Sequence, residues 1–133
     1  WYKQIVGPEQ AAQISPMRSI LNTGLHATSH TDAPVALPNL MQVAWATVNR
    51  TSRSGDVIGP DERVTPLEAM KMITLWGAEQ FGEQDSKGSL EPGKQADMVI
   101  LSDNPLTIDP MKINTTVVLE TTKDGHSVYK RQP

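Results

Sequence analysis

Cysteine is missing from all 133 residues. Its absence removes disulfides, thiolate metal sites and cysteine nucleophiles, and leaves the redox compartment open. An excess of basic charge is missing too: 12 Lys and Arg stand against 15 Asp and Glu, a formal net charge of -3. Without a basic stripe, nucleic acid is not an expected partner. No apolar run approaches membrane-spanning length and no signal peptide is visible, so no membrane partner is expected. Neither an internal repeat nor a low-complexity tract interrupts the chain. The length suits one domain with a modest core. The chain opens on Trp1 rather than Met, and its first residues read as the interior of a longer protein.

What is present is organised around residues 24–34, Gly-Leu-His-Ala-Thr-Ser-His-Thr-Asp-Ala-Pro. Read as a strand over 25–31, this stretch alternates. Leu25, Ala27, Ser29 and Thr31 form a small or apolar face suited to packing on a helix. His26, Thr28, His30 and Asp32 form a polar face with a carboxylate at its C-terminal end. Pro34 stops the strand. Such a stripe suits the inner face of a barrel strand whose tip meets an active site. The same residues have a plainer reading. His26 and His30, four apart, would also share a helix face, and two His with one Asp often make no more than a hydrogen-bonded polar cluster.

Around this stretch the pattern is α/β. Residues 9–12 read as a short helix after Gly7-Pro8, and 16–22 as an amphipathic helix with Ser15 as N-cap and Gly24 beyond its end. A helix is expected over 40–53, with Trp45 in its packing. The charged loop Gly59-Pro60-Asp61-Glu62-Arg63-Val64 reads as solvated or locally paired, with Arg63 either anchoring the loop or contacting a substrate. Thr65-Pro66-Leu67-Glu68 is a capping box with proline at the first helical position, opening a helix that runs to about residue 80. Gly77 inside it suggests a close neighbour, Gly82 a C-terminal cap, and Met70 and Met72 core fillers. From 85 onward the chain reads as β: a strand over 96–101, another over 115–122, an Asp124-Gly125 hairpin turn and a return strand over 127–129 with His126 exposed beside the turn. Asp97, Asp103 and Asp109 read as turn and cap residues. The chain therefore divides into 1–84 and 85–133, with a boundary near 83–87.

Three segments, His30-Thr31-Asp32-Ala33-Pro34-Val35, Gly59-Pro60-Asp61-Glu62-Arg63-Val64-Thr65 and Gly88-Ser89-Leu90-Glu91-Pro92-Gly93-Lys94-Gln95-Ala96-Asp97-Met98-Val99, together resemble the C-terminal third of metal-dependent hydrolases of the amidohydrolase superfamily. The similarity runs from about residue 7 to residue 129, and its third segment is the most specific. It implies the end of a (β/α)₈ barrel in 1–84, followed by part of a flanking β-sandwich in 85–133. Taken alone, the chain would be a mixed α+β unit. The resemblance makes 24–32 the eighth barrel strand. Asp32 becomes the residue that touches a divalent metal, zinc by this resemblance, and takes the proton from attacking water. Beside it, His30 on the polar face and Arg63 in the charged loop are the candidate substrate-pocket residues of this chain's own pattern. The remaining metal ligands of that family would lie upstream of Trp1. The function implied is hydrolysis of amide-like C–N or ester bonds in a small molecule, with this chain alone inactive. The alternative is a non-catalytic binding or regulatory module derived from the same fold. A homo-oligomer that hides exposed strand edges is compatible with either.

Overall fold

The computed structural model describes residues 2–132. Helices occupy the first part: α1 (Tyr2–Ile5), α2 (Gly7–Ala12), α3 (Met17–Asn22), α4 (Leu40–Asn49), α5 (Pro66–Met72) and α6 (Leu75–Gln80). A 3₁₀ turn at Pro60–Glu62 precedes α5, and a second at Pro110–Thr115 precedes β2. The rest is one antiparallel sheet of β1 (Met98–Leu101), β2 (Val118–Lys123) and β3 (His126–Lys130), in the order β1-β2-β3. The arrangement is a mixed α and β one, as expected for the chain taken alone.

Local signals set most helix ends. Asn39 caps α4 by accepting the Gln42 N–H at 3.1 Å. At α5 the capping box is complete: Thr65 Oγ1 accepts from the Glu68 N–H, and the Glu68 carboxylate accepts from the Thr65 N–H at 2.6 Å. The end of α6 is a Schellman motif, with Glu83 N–H on the Ala78 carbonyl, Gly82 N–H on Glu79, and Gly82 at φ 70°.

Four helix expectations are corrected. The helix expected over 40–53 ends at Asn49, because Arg50 turns left-handed at φ 57° and its N–H closes on the Ala46 carbonyl. The single helix expected over 66–80 is two. At the break, the Ile73 and Thr74 N–H groups bond back three residues, and the Thr74 hydroxyl bonds the Met70 carbonyl at 2.7 Å. Two β-branched residues in succession, one of them bonding back to the backbone, favour such a break. Ser15 does not cap α3, whose N-cap position falls on Pro16 without a side-chain bond. Gly77 has open space around it. The close approach is at Gly88, where a Cβ would lie 2.7 Å from the Ala78 Cβ and 3.0 Å from the Leu75 Cα.

The largest correction concerns residues 25–31, which form no strand. Among the described residues their one backbone bond to a neighbouring element is Ser29 N–H to the Met72 carbonyl, at 3.4 Å. A strand is defined by the ladder its neighbours complete, and no described residues lie alongside to complete one.

The core is formed by Met41, Ala44 and Val48 of α4, Val64, Ala69 and Met72 around α5, Trp76 of α6 and Ile113. Met72 and Ile113 are each 1% exposed. Trp45 is half-buried against this cluster, and its Nε1–H donates to the Met111 carbonyl at 3.0 Å. Asn49 Nδ2 donates to the Pro110 carbonyl at 2.9 Å and Asn114 Nδ2 to Gln42 Oε1 at 3.3 Å, so the second 3₁₀ turn docks on α4 at three points. In the sheet, Asp124 and Gly125 are both left-handed, at φ 48° and 79°, which is the type I′ pattern. The Asp97 carboxylate accepts the Asp124 N–H at 2.8 Å, and that bond is the main cause of its lowered pKa. The strand expected over 115–122 begins at Val118, because Thr115 closes the 3₁₀ turn that Asp109 caps through the Met111 N–H.

Candidate functional site

Gly24, at φ 81°, turns the chain out of α3 and into the stretch 25–32. Although no ladder forms, the alternation expected of this stretch survives in its contacts. Ala27 packs on the core cluster. The Ser29 hydroxyl lies 3.5 Å from Thr47 Oγ1 and donates to Met72 Sδ at 3.7 Å. The intervening residues turn to α6 instead. His26 Nδ1 sits 2.5 Å from the Glu79 carboxylate, and its ring stacks on Trp76 with centroids 4.4 Å apart and 16° between planes. Thr28 Oγ1 donates to Gln80 Oε1 at 3.0 Å.

The end of the stretch is built differently. His30 Nδ1 accepts the backbone N–H of Asp32 at 3.0 Å. Asp32 is exposed and left-handed at φ 52°, and its carbonyl accepts the Val35 N–H at 2.8 Å. The two histidines of the stripe therefore do not converge: His26 is committed to Glu79 and Trp76, and His30 to the backbone of Asp32. Among the described residues, no group of three or more His, Asp or Glu side chains is placed to hold a metal ion.

Beside His30 lies a cleft of about 320 Å³, lined by Thr28, Ser29, Thr47, Ser15 and Arg50 among others. Arg63 does not line it. Its Nε donates to the Asn49 carbonyl at 3.1 Å, and its own carbonyl accepts from Arg18 Nε at 3.2 Å. The anchoring role foreseen for Arg63 is thus occupied at one nitrogen.

Two residues of consequence had no signal in the sequence. Arg50 spends its guanidinium on three carbonyls, those of Ile58, Ser15 and Ile14. Burial lowers its pKa, against the pull of Glu62. Glu62 sits in a loop read as solvated or locally paired, yet it is 7% exposed and its partner is remote. Its carboxylate accepts both the N–H of Ser19, at 2.9 Å, and the Ser19 hydroxyl. The Ser19 hydroxyl, then the Ser19 N–H, hold the Glu62 carboxyl below its usual range, against burial. Glu62 thereby supplies the N-terminal cap that Pro16 cannot give α3. Nearby, Arg18 grips Glu68 with both terminal nitrogens, at 2.9 and 2.5 Å. This fork is the largest cause of a Glu68 pKa near 2 (about 2).

Comparison with known proteins adds identity to this geometry. A family model described as "Amidohydrolase family" matches residues 1–129. The chain is 30% identical over 123 residues to an N-substituted formamide deformylase of Arthrobacter pascens, a match covering 92% of this chain and 23% of that protein. It is 31% identical over 114 residues to a 5-methylthioadenosine/S-adenosylhomocysteine deaminase of Teredinibacter turnerae, covering 85% of this chain and 25% of the relative. The crystal structure of an amidohydrolase from Thermotoga maritima superposes with a TM-score of 0.64 at 26% identity, covering 86% of this chain and 26% of the other. The chain spans about a quarter of the length of the curated relatives it matches.

Proposed function

Because the chain belongs to the amidohydrolase family and its relatives are amidohydrolases and deaminases acting on C–N bonds, we propose that it forms the C-terminal part of a metal-dependent hydrolase for C–N or ester bonds in small molecules. In this reading, residues 1–84 carry the end of a (β/α)₈ barrel. The stretch 25–31 is a barrel strand whose ladder partners belong to the rest of the protein, and 85–133 is the β layer beside it. The observation that carries the reading is the construction at Asp32. An exposed carboxylate stands directly after an extended stretch, on a backbone fixed by His30.

A catalytic zinc ion is held by three protein ligands, and among the described residues Asp32 has no such partners. Asp32 is therefore assigned as one ligand of a set completed elsewhere in the protein, and these residues alone would not hydrolyse substrate. A divalent ion there, zinc in this proposal, would lower the pKa of bound water toward neutrality. The Asp32 carboxylate takes the proton from the attacking water and returns it to the leaving nitrogen or oxygen. His30 contributes twice, by holding the Asp32 N–H and by lining the cleft of about 320 Å³ where part of the substrate would lie. Arg63 would meet substrate through its terminal guanidinium nitrogens, since Nε is bonded to Asn49.

The test is Asp32→Asn in the complete protein, with turnover and bound metal measured together. The expected outcome is a fall in kcat of about a thousandfold or more with the fold preserved, as for loss of a group that both moves the proton and contacts the ion. Turnover close to wild type would remove Asp32 from the mechanism.

A further inference from the structure

The stretch that bears Asp32 lies between two helices, α3 before it and α4 after it, and it has almost no backbone bonds of its own. Both helices are fastened to the same loop, residues 59–65. On the upstream side, Glu62 accepts from the Ser19 N–H and hydroxyl in the first turn of α3, and Arg18 donates Nε to the Arg63 carbonyl. On the downstream side, Arg63 Nε donates to the Asn49 carbonyl at the last residue of α4. The next residue, Arg50, reaches back to the Ile14 and Ser15 carbonyls just before α3 and to Ile58 just before the loop. The loop is itself anchored at both ends. Arg18 holds Glu68 of the capping box behind it. At its front, Gly59 lies so close to Ala12 that a Cβ would overlap the Ala12 carbonyl oxygen.

We infer that Glu62, through Ser19, is a positioning residue for Asp32: the 59–65 loop clamps both helices flanking the site stretch and so fixes where its carboxylate stands. This rests on the reading of Asp32 as the proton-transferring group. The clamp acts at a distance, because Glu62 contacts neither Asp32 nor the cleft lined by His30. Loosening it displaces Asp32 without removing any reacting atom, and misplacement of about 1 Å is enough to cost around a hundredfold in rate.

The test uses Glu62→Gln, Ser19→Ala and the double variant in the complete protein. Each single variant is expected to lower kcat by about 10- to 100-fold with KM within about twofold, since placement of the reacting group is lost and substrate binding is not. The double variant is expected to cost clearly less than the sum of the single ones, because both changes disturb the same Ser19–Glu62 pair. Amide hydrogen exchange supplies a readout independent of activity. Protection should fall in α3 and residues 25–32 while β1–β3 keep wild-type protection. A folded Glu62→Gln protein with wild-type kcat overturns the inference, as does an equal loss of protection across the whole chain or additivity of the two changes. If Asp32→Asn is active while exchange still loosens locally in Glu62→Gln, the clamp stands and the assignment of Asp32 fails. If Asp32→Asn is dead and Glu62→Gln is not impaired, the reverse holds.

Discussion

The stretch 25–32 and the segment 59–68, a loop running into the first turn of α5, are both polar and of similar length, and they are held in opposite ways. The first carries the candidate reacting group, and among the described residues it makes one backbone bond to a neighbouring element. The second contacts no proposed reacting atom, yet it contains a buried carboxylate, a forked ion pair and a complete capping box. The difference shows where order comes from when a site must stay exposed. The site stretch has side-chain bonds to α6 and within itself but almost no backbone bonds, and the fastening falls on the helices before and after it.

Three experiments would break or sharpen this contrast. The largest effect should come from the core on which both regions rest. Met72 is 1% exposed and meets Ser29 both through its carbonyl and through its sulfur. Met72→Ala should cost about 2–5 kcal/mol in a urea unfolding experiment. It should also raise amide exchange at Ser29 more than at Glu62. Equal effects at the two places would erase the contrast.

Acid should act on the loop through Glu68. Arg18 holds the Glu68 carboxyl near a pKa of about 2, below its ordinary 4.5. Because the folded value is the lower one, the stabilisation is fully present above 4.5 and is lost as pH falls from there toward 2. At neutral pH it is on the order of 2–3 kcal/mol. Arg18→Ala should therefore lower the melting temperature at pH 7, and the gap to wild type should close as the pH drops through that window. A gap unchanged at pH 2.5 would mean that the fork contributes packing rather than charge.

The smallest effect concerns the other end of the stretch. His26 stacks on Trp76 and meets Glu79, but both polar partners are substantially exposed. His26→Ala should cost about 1 kcal/mol and change Trp76 emission, with Asp32-dependent turnover kept within about twofold. A large loss of turnover would show that the stretch is positioned from α6 as well as from the loop.

What the sequence made legible follows from the range of each interaction. The Thr65–Glu68 box, the Asp124-Gly125 turn and the Asp109 cap are complete within four residues, and each forms where expected. The packing roles of Trp45, Met70 and Met72 follow from helical spacing and also hold. The strand expected over 25–31 does not form among the described residues, because side-chain alternation is local while a ladder depends on neighbours that local pattern does not supply. Glu62 carries no local signal because its partner is 43 residues away, and a carboxylate among Asp61 and Arg63 looks like any solvated loop charge. Arg50 was absorbed into a helical run because nothing before it marks a left-handed residue. At the site, the alternation of side chains was readable, but the division of labour between His26 and His30 was not. It is decided by Trp76 and Glu79 on α6 and by a backbone N–H two residues along.

That last bond has a chemical consequence. An imidazole nitrogen that accepts the Asp32 N–H must offer its lone pair, so the neutral His30 ring carries its proton on Nε2. The ring thus presents an outward donor, and a group settling against that nitrogen is selected for a free lone pair: a carbonyl, carboxylate or ether oxygen fits, an ammonium does not.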